Sequence, residues 1–271
     1  MSFNFGFISI VSIFLVLYLL VTLGLFLLQE SLIFFPTKLS PKYQFEHFKN
    51  FEERYFNIDT VTCIHALHFK TQLQKKGIIL YFHGNARCLF DWGFVADDYT
   101  KLGFDVMMPD YRTYGKSTGK LSEQALHDDA RMIYNDLLKK YAAEDIIIFG
   151  RSLGSGIASK LASEVEAKML ILETPYLSLH HLAKKKMPIL PISLLMAYKM
   201  DTSSLIDRIP YPIHIIHGTK DLLIPYQHAV ELEKLSGQAN CLFTIEGGGH
   251  NNLSDYKSYQ EKMKSILNVV E

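Results

Sequence analysis

Three side chains of the kinds that carry acyl transfer stand in a fixed order along the chain. A serine lies inside Gly150-Arg151-Ser152-Leu153-Gly154, an aspartate ends Thr219-Lys220-Asp221, and a histidine follows Gly247-Gly248-Gly249 as His250. A serine hydroxyl is a poor nucleophile until a base takes its proton and an acid orients that base. The GxSxG spacing suits a sharp turn between a strand and a helix, where flanking glycines make room for crowded backbones and the hydroxyl is held clear of the sheet. Ser152 follows the apolar run Ile146–Gly150 and precedes the helical pattern Ser155–Lys160, the context that turn requires. Asp221 comes just after the strand-like IHIIHG, and of 11 histidines His250 alone lies past the last strand in a glycine-rich loop. Asp201 and Asp207 are the nearest rival acids but precede that strand. His214 and His217 read as packed or hydrogen-bonded strand residues.

Acyl transfer also needs donors aimed at the developing oxyanion. The run GIILYF leads into His83-Gly84-Asn85-Ala86. The backbone N–H groups of Asn85 and of Leu153, the residue after the nucleophile, are the expected pair. His83 is expected to brace the loop rather than act as a base.

These groups must be positioned by a scaffold, and the apolar pattern supplies one. Short runs Phe51–Ile58, Val61–Phe69, Gly77–Phe82, Phe104–Met108, Asp145–Phe149, Lys168–Leu172, Ile213–Ile216 and Cys241–Ile245 read as strands. Between most of them lie helical patterns. Leu126, Ala130, Ile133 and Leu137 mark one helix face, while Pro225 at a first helical position and Gly237 bracket another. Such alternation predicts a mostly parallel central sheet with helices on both faces. In that architecture ligands bind beyond the carboxyl ends of the strands, where the three side chains fall.

The chain has 271 residues, 48% of them apolar, with 28 basic and 28 acidic side chains. Zero net charge lacks the basic footprint of a nucleic-acid binder, so no nucleic-acid partner is expected. Three cysteines form no CxxC pair and no disulfide framework. Gly115-Lys116-Ser117 has only the end of a phosphate loop, because Asp110 stands where its first glycine belongs. His65 and His68, three apart on a strand, point to opposite faces. No metal or cofactor is expected.

The charges are distributed unevenly. Residues 1–29 contain no Asp, Glu, Lys or Arg, and the 22 residues from Phe7 to Leu28 are almost wholly apolar. As a helix they reach roughly 33 Å, enough to cross a hydrocarbon core of about 30 Å. A cleaved signal peptide would need a basic start and a small-x-small cleavage site, which are absent here. A buried helix of a soluble core rarely runs so long without a polar face. The expected organisation is an N-terminal transmembrane anchor over residues 1–29, a juxtamembrane connector over 30–50 with Phe34 and Phe35 near the interface, and a catalytic domain over 51–271. Lys38 and Lys42 follow the span and no basic residue precedes it, so the positive-inside rule puts the domain in the cytoplasm.

Four motifs in this order, HGNA, GRSLG, HGTKD and GGGH, resemble the α/β-hydrolase superfamily. With Asp110-Tyr111-Arg112-Thr113-Tyr114-Gly115 and an apolar N-terminus, the chain is similar to the membrane-anchored Bem46-like branch. The resemblance implies the α/β-hydrolase fold and a triad of Ser152, Asp221 and His250. Thr113 stands where that branch usually has glycine, Arg87 follows HGNA where glycine is common, and Asn252 replaces an acid after GH. Between Glu173 and Ile213 lies an insertion, about 174–210, holding Lys184-Lys185-Lys186 and the apolar MPILPISLLMAY. It reads either as a simple cover over the sheet or as a small lid over an acyl site with its lysines at anionic headgroups. The expected activity is hydrolysis of a carboxylic ester or thioester, on a small-molecule or lipid acyl substrate. A serine peptidase or amidase uses the same triad, and a non-catalytic membrane scaffold is the reading from another class. A scaffold has no need of all three residue types.

Overall fold

A computed structural model of the chain describes residues 2–267. Its centre is an eight-stranded sheet: β1 (Phe51–Asn57), β2 (Cys63–Phe69), β3 (Gly77–Phe82), β4 (Phe104–Pro109), β5 (Ile146–Arg151), β6 (Met169–Glu173), β7 (Ile213–Gly218) and β8 (Leu242–Ile245). Their spatial order is β8-β7-β6-β5-β3-β4-β2-β1. β1–β2 and β2–β4 pair antiparallel, and every other neighbouring pair is parallel. This is an α/β-hydrolase fold.

The strands from β3 to β7 are near-continuous apolar runs because both their faces are covered. Ile78, Leu80, Phe82, Ile146 and Ile148 belong to one core with Leu126, Ile133, Ile157 and Leu161. The alternate residues Ile79, Tyr81, Ile147 and Phe149 belong to a second core with Tyr99, Tyr259 and Met263. Period-2 alternation thus sorts one strand between two helical layers. Burying each large side chain contributes about 1.5–3 kcal/mol.

The helices are α1 (Ser2–Ile33), α2 (Leu89–Trp92), α3 (Ala96–Thr100), α4 (Glu123–Leu137), α5 (Leu153–Ala162), α6 (Leu179–Lys186), α7 (Ile192–Leu195), α8 (Gln227–Ser236) and α9 (Lys257–Ile266). The face Leu126, Ala130, Ile133 and Leu137 is buried, and Ser122 caps α4 by accepting from the Ala125 N–H. Gly237 ends α8 in the left-handed conformation, φ 67°. Pro225 lies two residues before α8 rather than in its first turn, with Tyr226 at the N-cap. Its carbonyl instead accepts from the His228 N–H.

α1 runs through Glu30 to Ile33, and the chain then turns inward. Phe34 is only 3% exposed, its ring edge-on to Tyr198. It is a core side chain and not an interfacial one, because the segment after α1 is strapped to the domain. Phe35–Pro36 pairs in parallel with Ala86–Arg87, and Leu39 N–H donates to Gly115 O. Phe35 stays exposed.

Candidate active site

The chain turns from β3 toward β4 and from the adjacent β5 toward β6, in opposite directions, so a crevice opens between them at the strands' carboxyl ends. Phe82 is level with Gly150, Arg151 with Glu173, Glu173 with Ile216, and Gly218 with Ile245. That register puts the loops carrying Asn85, Ser152, Asp221 and His250 along one edge.

Ser152 takes φ 50° and ψ −115° between β5 and α5. A left-handed non-glycine residue is strained, and it persists only where its surroundings enforce it. Here they do. Ser152 N–H donates to Glu173 O at 2.9 Å. A side chain on Gly154 would meet Phe82 O at 2.1 Å, and one on Gly150 would meet Gly154 O at 2.5 Å. Both glycines are therefore steric requirements of the turn. Arg151, half-buried, pairs with Glu173, Nε to Oε1 3.1 Å, and Tyr259 donates to the other Glu173 oxygen at 2.6 Å. This ion pair fixes β5 to β6 just below the serine.

Ser152 Oγ lies 2.9 Å from His250 Nε2, and His250 Nδ1 lies 2.7 Å from Asp221 Oδ2. A carboxylate only accepts, so Nδ1 carries the proton and Nε2 is left as the acceptor for the serine hydroxyl. Asp221 is buried, and Oδ1 accepts from the N–H groups of Leu223 and Ile224 at 2.8 and 2.9 Å. Burial raises its pKa, but hydrogen bonds from His217 and His250 outweigh that and hold it well below the usual carboxylate range. The His217 contact is one that sequence reading missed. Its Nε2 donates to Ile224 O at 3.0 Å and lies 3.2 Å from Asp221 Oδ2, with the ring fully buried at the end of β7. Its position four residues before the aspartate, on the strand that delivers it, was the available signal.

The Asn85 loop lies beside the serine: a side chain on Gly84 would stand 3.8 Å from Ser152 Cβ and 2.8 Å from the Trp92 ring. Leu153 is the first residue of α5, where helical geometry gives an N–H no intrahelical acceptor. His83 is buried, donating from Nδ1 to Gly84 O at 2.7 Å, and Tyr111 donates to His83 O at 2.6 Å. It braces the loop. The Asn85 side chain has a role that the sequence did not reveal. Nδ2 donates to Ile33 O, and Oδ1 accepts from Phe35 N–H at 3.3 Å and from Tyr114 OH at 3.0 Å. One amide thereby ties this loop to the end of α1.

The departures from the resembling branch have physical explanations. Arg87 and Thr113 have φ of 74° and 75°, the left-handed region where glycine is the unstrained residue. Asn252 Oδ1 accepts from Gly249 N–H at 2.7 Å, a bond that needs an acceptor but no charge.

A family profile described as serine aminopeptidase, S33, matches residues 74–204, a stretch that includes Ser152 but ends before Asp221 and His250. Alpha/beta hydrolase domain-containing protein 17C of Xenopus tropicalis is 29% identical over 218 residues, covering 76% of this chain and 66% of its own length. The human protein 17B is 32% identical over 205 residues, covering 71% of this chain and 66% of its own. The chain thus spans just under two thirds of these relatives. Among solved structures, an esterase from Pyrococcus furiosus superposes with a TM-score of 0.68 at 17% identity, covering 86% of this chain and 98% of that one. At that identity the likeness is one of fold.

Proposed function

We propose that this chain, which belongs to the α/β-hydrolase superfamily, is a membrane-anchored serine hydrolase cleaving carboxylic esters or thioesters. The observation that carries the reading is the continuous chain Ser152 Oγ–His250–Asp221, with links of 2.9 and 2.7 Å. Ser152 attacks the acyl carbon while its proton passes to His250 Nε2. Asp221 holds the imidazole in the required tautomer and stabilises the imidazolium. The N–H groups of Leu153 and Asn85 receive the oxyanion. His250 then protonates the departing alkoxide or thiolate, leaving an acyl-serine. Water, deprotonated by His250, repeats the attack and releases the acid with Ser152 restored.

The anchor is α1, whose residues 9–33 form an apolar helix with 6% of its most apolar window buried against the domain. Lys38 and Lys42, which follow the helix, support a cytoplasmic catalytic domain by the positive-inside rule. The apolar cover over residues 187–196 favours a substrate with a hydrophobic acyl chain. The esterase named above and the aminopeptidase description point to two bond types that one triad cleaves. A fluorophosphonate probe should label the full-length protein and fail to label Ser152→Ala, whereas equal labelling of both would end the serine-hydrolase reading. A panel of acyl esters, thioesters and aminoacyl amides then separates esterase from peptidase, with the esters and thioesters expected to turn over faster.

A further inference from the structure

The segment Met187–Met196 contains no charged residue and lies beside α1. Tyr18 OH donates to Ile189 O at 3.3 Å, and Gln29 Nε2 donates to Leu195 O at 3.3 Å while its Oε1 accepts from Ala197 N–H at 2.8 Å. Tyr18 precedes the end of α1 by 15 residues, about 22 Å of helix. A segment that reaches Tyr18 therefore extends alongside the part of α1 read above as spanning the membrane. Its own most exposed side chains are large and apolar, Ile189 at 84% and Leu194 at 85%.

We propose that this segment enters the bilayer next to α1, so that anchor and cover form one lipid-embedded unit; the inference rests on the membrane-anchored reading above. Irregular backbone is costly in hydrocarbon unless its polar groups are satisfied internally. Two of the ten residues are prolines and have no N–H to satisfy, and six of the other eight donate to backbone carbonyls. The Ile189 and Leu195 carbonyls accept from α1 side chains, and Ser193 Oγ meets His180 Nε2 at 2.9 Å. Lys184, Lys185 and Lys186, all exposed, immediately precede the segment, the position from which basic side chains reach anionic headgroups. Between α1 and the segment lies an apolar cavity of about 280 Å³, lined by Leu25, Leu32, Leu182, Met187, Ile192 and Leu195. Facing water, that surface carries a hydration cost. Facing lipid, it is filled by hydrocarbon chains.

The test uses the full chain in phosphatidylcholine–phosphatidylserine vesicles. Single nitroxide labels are placed at Leu194→Cys, Leu15→Cys and Lys139→Cys in a Cys63→Ser background, Cys88 and Cys241 being buried. Collision with oxygen is compared with collision with an aqueous nickel chelate. The label at 194 should favour oxygen several-fold, as the label at 15 does, while the one at 139 favours nickel. Nickel-accessible 194 with lipid-exposed 15 overturns the inference and leaves the anchor intact. If 15 is also nickel-accessible, the anchor reading has failed, and this one with it. Exclusion of both reagents from 194 means that protein covers the segment, which overturns the proposal as well.

Discussion

The turn after β5 and the segment after β6 both leave the carboxyl edge of the sheet, yet they are built in opposite ways. In the first, Gly150 and Gly154 approach neighbouring backbone too closely for any side chain, and Ser152 is held at a left-handed φ. In the second, residues 187–196 are held by a few hydrogen bonds to α1 and turn Ile189 and Leu194 outward. The difference suits the two tasks proposed above. Attack on an acyl carbon needs groups fixed within a fraction of an ångström. Admission of an apolar chain needs a surface whose free energy depends on what surrounds it.

The largest effect should come from the rigid side. Asp221→Asn replaces the acceptor of the His250 imidazole and of the Leu223 and Ile224 N–H groups, beside the His217 ring. The amide can donate to His250 and so favours the wrong tautomer, and kcat on a soluble short-chain ester should fall about 10⁴-fold with little change in KM. A loss below tenfold would mean that the reaction is not organised by this chain of groups.

The loop beside the serine turn and the end of α1, the helix that holds the second region, meet at Asn85. Its side chain bonds Ile33 and Phe35 while its backbone N–H is the proposed second oxyanion donor. Asn85→Ala removes the tie and leaves the N–H. If the tie positions the loop, kcat on the same soluble ester should fall roughly 10²-fold. KM should hold, because a soluble ester does not depend on delivery from a membrane. Unchanged kcat would show that anchor and oxyanion loop are independent.

How much of this was legible in sequence follows the same division. Ser152, Asp221 and His250 could be placed because a parallel sheet delivers the ends of its strands to one edge, and the strand runs were readable to within a residue or two. β5 continues two residues beyond the expected run, to Arg151, since the strand carries the turn's own residues. The side-chain bonds of Asn85, the second imidazole on Asp221 and the inward turn of Phe34 were not legible. The first and last depend on contacts across the fold, between residues 33 and 85 or 34 and 198, whose geometry no local pattern encodes, whereas His217 meets Asp221 only because the turn after β7 folds the aspartate back over the end of the strand.

A smaller effect should appear where the cover joins the sheet. His228 Nδ1 accepts from Leu177 N–H at 3.1 Å, bracing the chain between β6 and α6. Burial, with His181 and Lys185 adding repulsion and Asp221 opposing it, pushes its pKa down from 6.5 to about 4. The unfolded chain therefore binds a proton that the folded chain refuses, so stability is full above pH 6.5 and declines as pH falls toward 4. Thermal unfolding of the detergent-solubilised full chain should show that decline. His228→Asn, which keeps an acceptor but does not titrate, should flatten it over that window.

The smallest expected effect comes from strained backbone. Ser152 and Thr113 are both non-glycine residues at positive φ, 50° and 75°. At Ser152 the strain holds the hydroxyl proposed above as the nucleophile. At Thr113 the neighbouring Arg112 forms the useful bonds, pairing with Asp129 at 2.8 Å, and no bond of the Thr113 side chain is needed for that. A β-branched residue is poorly suited to the left-handed region, which costs roughly 1–2 kcal/mol. Thr113→Gly removes the clash but gives the unfolded chain more freedom to lose, about 0.4–1 kcal/mol in the other direction. The net expectation is stabilisation of about 0.5–1 kcal/mol with kcat unchanged, read from chemical denaturation and ester turnover on one preparation. Equal stability with lower kcat would instead make Thr113 part of what holds Tyr114 against Asn85. The rigid region would then extend from the serine turn through this loop to the end of the anchor.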